Sequence, residues 1–268
     1  MVEAKMNQTK NSKIALVTGA SGGIGEALAE CFARDGVGLI ITARSQDALE
    51  RNASQWRQRY GVDVTVVACD LSEAGAAEHF AADILGRGVK LDYLVNNAGF
   101  GSYGLFAESD LGESMRMLRL NIEALTILTR SFLPGLVARR GKVLHVASTA
   151  AFQPCPYMAV YAATKAYVLS FSDAIAAELE GSGATVTALC PGPTTSGFQD
   201  KANMQDSAIF KGKRLPSAVD VAQAGYQAMM QGKPVFIHGA KNWFLALSIR
   251  FAPRRMVVSL VKKMSRPV

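Results

Sequence analysis

Lys13-Ile14-Ala15-Leu16-Val17-Thr18-Gly19-Ala20-Ser21-Gly22-Gly23-Ile24-Gly25-Glu26-Ala27-Leu28 is the stretch that decides the fold. Its first part, Ile14–Thr18, is a short apolar run of strand length. Beyond the glycines, Ile24, Leu28 and Phe32 recur at helical spacing. A buried strand that feeds a helix through a glycine-rich turn is the first half of a parallel strand–helix–strand unit. Glycine permits positive φ and lets the main chain come close to a pyrophosphate, which the free N–H groups of the helix N-terminus attract. Gly19, Ser21, Gly23, Ile24 and Gly25 are the residues placed to make that contact. The spacing is G-x-x-x-G-x-G rather than G-x-G-x-x-G, and a plain tight turn would use the same glycines.

Outward from this unit the pattern repeats. Candidate strands are 39–43, 64–68, 93–96, 143–147, 185–189 and 235–238, with helical windows between them such as Leu118-Ile122-Leu125-Thr129. Such alternation gives a doubly wound α/β fold, because parallel strands need right-handed crossovers long enough for a helix. The strands are almost wholly apolar, as expected when both faces of the sheet are covered. No repeat or low-complexity linker interrupts the series, so residues 13–240 read as one domain, preceded by a polar tail, 1–12. With 268 residues, 49% of them hydrophobic, the chain is long enough for one large core. Cys31, Cys69, Cys155 and Cys190 are widely spaced and form no CxxC pair, which suits small buried hydrophobes and not a disulfide or metal framework. The tail has no apolar stretch of the signal-peptide kind, so a cytoplasmic address is expected.

Net charge is +7, and its location matters more than its size. Residues 241–268 carry seven basic residues and no acid, whereas the rest balances at 22 of each sign. A neutral body with a basic tail argues against a nucleic-acid binder, which would spread its basic face over the folded domain.

In a doubly wound sheet, ligands bind where strands end, around the switch in strand order. Strand two ends in Thr42-Ala43-Arg44. An acid there would hold a ribose 2′-hydroxyl, and none is present; the guanidinium of Arg44 can grip a 2′-phosphate. NADP(H) is therefore expected over NAD(H), although Arg44 would also serve as a solvated surface arginine. Asp70-Leu71 follows strand three, where the carboxylate can meet an adenine amino group or cap a helix. Asn97-Ala98-Gly99 follows strand four, suited to lining a cofactor and tying neighbouring strands, or to a simple turn. Ser148 closes strand five. Tyr161 and Lys165 stand four apart on a helical segment and so share a face. A phenol titrates near 10 when unperturbed, and an ammonium one turn away and an oxidised nicotinamide both favour phenolate, which would bring it toward the working range. Tyr157 and Tyr167 lack a lysine four residues on.

The set TGASGGIG, NNAG, Asn121, Ser148 and Tyr161-xxx-Lys165, followed by Pro191-Gly192-Pro193-Thr194, resembles the short-chain dehydrogenase/reductase family, in order and over about residues 13–240. The resemblance implies a Rossmann-like sheet of seven strands in the order 3-2-1-4-5-6-7. It implies a Ser148–Tyr161–Lys165 triad joined by Asn121, whose position holds a water in the proton path. It also implies that Tyr161 and Lys165 contact the nicotinamide ribose and that Pro191, Gly192 and Thr194 contact its amide. It carries with it hydride transfer to or from a small-molecule carbonyl or secondary alcohol, no metal, and assembly as a homodimer or homotetramer through the helices of Asn121 and Tyr161. The basic position before the second glycine of the motif is Gly22 here, so the NADP expectation rests on Arg44. A nucleotide-sugar epimerase shares the Tyr-xxx-Lys pair but is disfavoured by the glycine spacing; a cofactor-binding sensor without turnover is the non-enzymatic rival.

The same resemblance makes residues 194–216 a substrate lid, where Phe198, Met204, Ile209 and Phe210 favour an apolar substrate. Residues 242–251 are almost wholly apolar yet far short of the roughly 20 residues that span a bilayer. After Pro253, the residues Met256, Val257, Leu260, Val261 and Met264 form one helical stripe opposed by Arg254, Arg255, Lys262 and Lys263. The 241–268 extension thus suits either an anionic membrane surface or packing over the cleft or a subunit interface with its basic face in solvent. His145 lies within a strand and reads as packed.

Overall fold

The computed structural model describes residues 13–195 and 215–266. Seven parallel strands form the sheet: β1 Ile14–Thr18, β2 Gly38–Ala43, β3 Val64–Ala68, β4 Tyr93–Asn96, β5 Lys142–Val146, β6 Thr185–Cys190 and β7 Val235–Ile237. Their order is β3-β2-β1-β4-β5-β6-β7, as the resemblance implies. The expected strands agree with these to within a residue at either end. β1 pairs with both β2 and β4, so strand order reverses beside it. The crevice at the carboxyl ends of β1 and β4 is therefore the site the topology offers.

Helices cover both faces. α1 (Gly23–Arg34), α2 (Gln46–Tyr60) and α7 (Ala218–Met230) close a core on one side, with Phe32, Leu28, Leu49 and Ile41 fully buried. α3 (Ala76–Gly86), α5 (Leu125–Ala138) and α6 (Ala159–Glu178) close the other over Ile84, Leu94, Leu128 and Leu136. The window Leu118–Thr129 is not one regular helix. It runs from α4 (Leu111–Leu118) through a wide π-type turn, Arg119–Ala124, into α5. Apolar spacing cannot show this, because inserting a residue shifts the face by only part of a turn, while π-turns gather at functional sites.

Two further helices follow β7: α8 (Ala240–Ile249) and α9 (Arg254–Met264). Thr195 and Ser217 pair in a parallel bridge. Phe198, Met204, Ile209 and Phe210 of the expected lid, and the 1–12 tail, lie outside the described residues. Among the described residues, no helix is long and apolar enough to cross a membrane.

Candidate active site

The glycine-rich turn is held by its neighbours. Gly19 has φ of 69° and Gly23 of 61°, and the Gly19 N–H donates to Thr42 O at 2.7 Å. A Cβ on Gly25 would stand 2.3 Å from both Gly19 O and Asn97 Nδ2, so only glycine lets α1 start this close to the turn. Asn97 Nδ2 donates to Thr18 O at 2.8 Å and to Gly19 O at 3.3 Å, while Thr18 Oγ1 accepts from the N–H groups of Asn97 and Ala98 at 3.0 and 2.9 Å. The Asn97 side chain thus ties β4 to β1, and Asn97 also lines the cleft beside the turn. Thr18, buried at the centre of this bonding, was not singled out from sequence; its partners lie about 80 residues away along the chain.

Arg44 is exposed at the edge of the cleft, where Ala43, Ser45 and Ser21 also stand. Asp70 accepts from the Ser72 amide at 3.0 Å and hydroxyl at 2.6 Å, closing a local turn. It caps no helix, since α3 begins after Gly75. Burial alone would raise its pKa, but the Ser72 hydrogen bonds, with Arg44 and Arg116 nearby, hold its carboxyl below the usual range. Asp70 and Leu71 both line the cleft.

The catalytic candidates meet at the ends of β4 and β5. Ser148 follows β5, and its hydroxyl accepts from the Ala150 N–H at 3.1 Å. Tyr161 is buried in the first turns of α6 and is hydrogen-bonded to Ser148. Lys165, also buried, donates from Nζ to Val146 O at 2.7 Å and lies 5.7 Å from the Tyr161 ring centroid. Asn121 sits in the π-turn; its Nδ2 donates to Phe100 O at 2.9 Å and Thr164 Oγ1 at 3.0 Å, and its Oδ1 accepts from Phe100 N at 3.2 Å. Gly99 passes between them, where a Cβ would meet Asn121 Oδ1 at 3.0 Å and Lys165 Nζ at 3.5 Å.

Burial pushes the Tyr161 phenol up to about 12, and the pull of the Ser148 hydrogen bond does not overcome it. Burial also lowers the Lys165 ammonium to about 8. The pair alone does not bring the phenol toward neutrality, because both groups are out of water and the ammonium is turned to a main-chain carbonyl.

Beneath the site lies a polar chain that sequence spacing did not show. His145, fully buried on β5, bonds Thr129 Oγ1 of α5 at 3.0 Å and Ser172 Oγ of α6 at 2.8 Å, and Asn96 Nδ2 donates to the same Thr129 Oγ1 at 2.9 Å. The packed role expected of His145 is what the structure gives it. Desolvation lowers its pKa to about 3.

Ser148, Tyr161 and Lys165 line one cleft of about 1690 Å³ together with the glycine-rich turn, Arg44, Asp70, Leu71, Asn97, Ala98 and Gly99. Asn121 and the His145 chain stand behind its wall. Gln153, Cys155 and Met158 stand beside Tyr161, while Pro191, Gly192 and Thr194 form the far edge. Asn242 of α8 presses on the latter: a Cβ on Gly192 would come 2.5 Å from its Nδ2, which itself donates to His238 O at 2.8 Å. The stripe Met256, Val257, Leu260, Val261 and Met264 lines the cleft, with Leu245, Ala246 and Ile249 of α8. Of the two uses left open by the sequence, packing over the cleft is therefore realised.

Known proteins share this fold. The family of short chain dehydrogenases matches residues 13–207, and the chain belongs to it. It is 32% identical over 234 residues to 11-beta-hydroxysteroid dehydrogenase-like 4A of Arabidopsis thaliana, covering 85% of this chain and 77% of that protein. It is 33% identical over 190 residues to the uncharacterized oxidoreductase YvrD of Bacillus subtilis (strain 168), covering 70% of this chain and 71% of that one. Among solved structures, a short-chain dehydrogenase from Sphingobium yanoikuyae in complex with NADPH superposes with a TM-score of 0.80 at 29% identity, over 89% of this chain and 94% of that one. The bulky-bulky ketone specific alcohol dehydrogenase from Comamonas testosteroni superposes with a TM-score of 0.76 at 28% identity, over 90% and 93%.

Proposed function

We propose that this oxidoreductase transfers hydride between NADP(H) and the carbonyl or secondary alcohol of an apolar small molecule, with Tyr161 as the proton-transferring residue. The observation that carries the reading is the Ser148–Tyr161–Lys165 cluster, with Tyr161 and Lys165 buried, placed at the carboxyl end of β5 in the same cleft as the glycine-rich turn and facing an apolar wall. The residues fit the cofactor. The Gly19–Gly25 turn leaves a cradle that a side chain would fill, the N–H groups at the start of α1 face it, and the end of β2 offers Arg44 and no acid. When bound, the nicotinamide supplies or accepts the hydride. Arg44 meets the 2′-phosphate, and Asp70 and Leu71 flank the adenine side. Lys165 holds the ribose with the ammonium protons left over from Val146, and Pro191, Gly192 and Thr194 edge the amide.

Ser148 orients the substrate oxygen. Tyr161, neutral at physiological pH because burial disfavours its anion, is ready to donate a proton to that oxygen when the carbonyl is reduced. Lys165 loses its charge near 8, and kcat/KM for reduction is expected to fall above that pH. Asn121 commits its side chain to Phe100 and Thr164, which leaves any part in a proton path to the main chain opened by the π-turn.

The substrate reading has the relatives' support, since two of the named ones are a hydroxysteroid dehydrogenase-like protein and a bulky-ketone dehydrogenase. A homodimer or homotetramer through the helices of Asn121 and Tyr161 belongs to this reading; on α6, Ala163, Ala166, Ser170, Ala174 and Ala177 are exposed, with Asp173 and Glu178 beside them. Peripheral contact of 242–266 with an anionic membrane, at the cytoplasmic side, belongs to the same reading.

The test is a panel of carbonyl substrates followed by NADPH absorbance, with Tyr161→Phe beside the native chain. Loss of turnover by about a hundredfold or more, with NADPH binding retained, is expected for removal of a general acid. Absence of turnover across the panel by the native chain, with cofactor binding intact, would favour a sensor.

A further inference from the structure

α8 and α9 have a second side. Trp243, Phe244 and Phe251 do not line the cleft and are 54%, 66% and 84% exposed. Leu245, Met256, Leu260 and Met264 do line it, yet each is about half exposed, which puts them at its mouth. These seven large apolar residues of the 243–264 segment are thus left exposed, three of them outside the cleft and four at its mouth. Single exposed apolar residues need no explanation, but so many large ones on two short helices do.

The charges say what covers it. Beyond Asp220 the chain has no acidic residue, and Arg254, Arg255, Lys262 and Lys263 are all exposed on α9. Among the described residues, none of these four takes part in an ion pair. Arg250 is set apart, since it faces Asp173 of α6. An isologous contact with a second copy would lay this cationic surface against itself. An anionic lipid surface matches both components, charge for the basic residues and acyl chain for the aromatic ones.

We propose that α8 and α9 dock on an anionic membrane so that the mouth of the catalytic cleft opens into the lipid, and that the apolar carbonyl substrate enters from there rather than from water. This rests on the reading of the cleft as a carbonyl-reducing site. Substrate dissolved in the bilayer reaches Tyr161 along the Leu245–Met256–Leu260 rim without crossing water, and α9 is anchored by a hydrogen bond from the Tyr103 hydroxyl to Ser265 O. Docking and delivery are thus one function of the same two helices.

The experiment uses the full chain with vesicles of phosphatidylcholine alone or mixed equally with phosphatidylglycerol. Two variants are compared, Arg254→Glu/Arg255→Glu/Lys262→Glu/Lys263→Glu and Trp243→Ser/Phe244→Ser/Phe251→Ser. Neither touches the catalytic machinery. Sedimentation reads docking; NADPH oxidation reads turnover of a long-chain ketone that partitions into vesicles and of a water-soluble ketone. The expected result is binding to the anionic vesicles, faster reduction of the long-chain ketone in their presence, and loss of both in each variant, by more than about tenfold in partitioning for the charge reversal. Water-soluble ketone turnover stays unchanged in both variants, which shows that they are folded. Docking without any advantage to the long-chain ketone overturns delivery from lipid. No docking, or a change of oligomeric mass in the serine variant, overturns the membrane as occupant. Docking by a native chain that reduces neither ketone brings down the catalytic reading and delivery with it.

Discussion

The two walls of the cleft are built on opposite principles. The sheet-side wall is fixed by buried polar bonds: Thr18 and Asn97 lock the glycine turn, Asn121 joins the 99–100 segment to α6, and His145 joins α5 to α6. The C-terminal wall is apolar and sparsely anchored; Ala246 is the one buried residue of α8 and Val257 the one of α9. Proton and hydride transfer need atoms held to within fractions of an ångström, and directional bonds do that. A wall that only excludes water and accepts an apolar shape can be held by non-directional contact, and it can adjust.

The contrast can be broken most severely at Gly25. Gly25→Val sets side-chain atoms against Gly19 O, so a loss of about 3 kcal/mol or more and loss of NADPH binding are expected, read by chemical denaturation and by cofactor fluorescence. Retained NADPH affinity would show that the turn is less rigid than its bonds imply. Next comes His145. It stays neutral in the folded protein down to about 3, whereas the unfolded chain takes up a proton near 6.5. The unfolded state binds more protons across that window, so stability falls as pH drops from 6.5 toward 3, by about 2 kcal/mol on reaching about pH 5. His145→Asn should flatten this slope in urea titrations at the two pH values. Arg44→Ala tests the exposed edge of the same wall: roughly a tenfold loss of preference for NADPH over NADH is expected in kcat/KM, with NADH turnover little changed. Smallest is Phe251→Ser on the opposite wall, where stability should move by less than about 0.5 kcal/mol in thermal melts without vesicles. A larger drop would mean that Phe251 is covered by protein.

How legible each wall was in the sequence follows from the range of the forces that make it. β1 to β7 are local apolar runs, and their ends were readable because a sheet covered on both faces permits little else. Ser148, Tyr161 and Lys165 were readable as chemistry placed after a strand or one turn apart on a helix. The bonds of Thr18 to Asn97, and of His145 to Thr129 and Ser172, join residues far apart in sequence and leave no periodic trace. The π-turn at Asn121 hides within an unbroken apolar pattern. For the Tyr161 phenol, spacing gives the distance to the Lys165 charge but not the water lost around both groups. The C-terminal stripe was visible as a stripe; what it faces depended on where α8 turned after β7.

The bridge between Thr195 and Ser217 has an evolutionary consequence. It brings both ends of the intervening segment to one point on the rim, so that segment closes on itself whatever its length. Loop closure entropy grows only with the logarithm of length, about 0.6 kcal/mol per doubling. Insertions, deletions or wholesale replacement between these two residues would therefore leave the sheet and the proton-transfer groups in register.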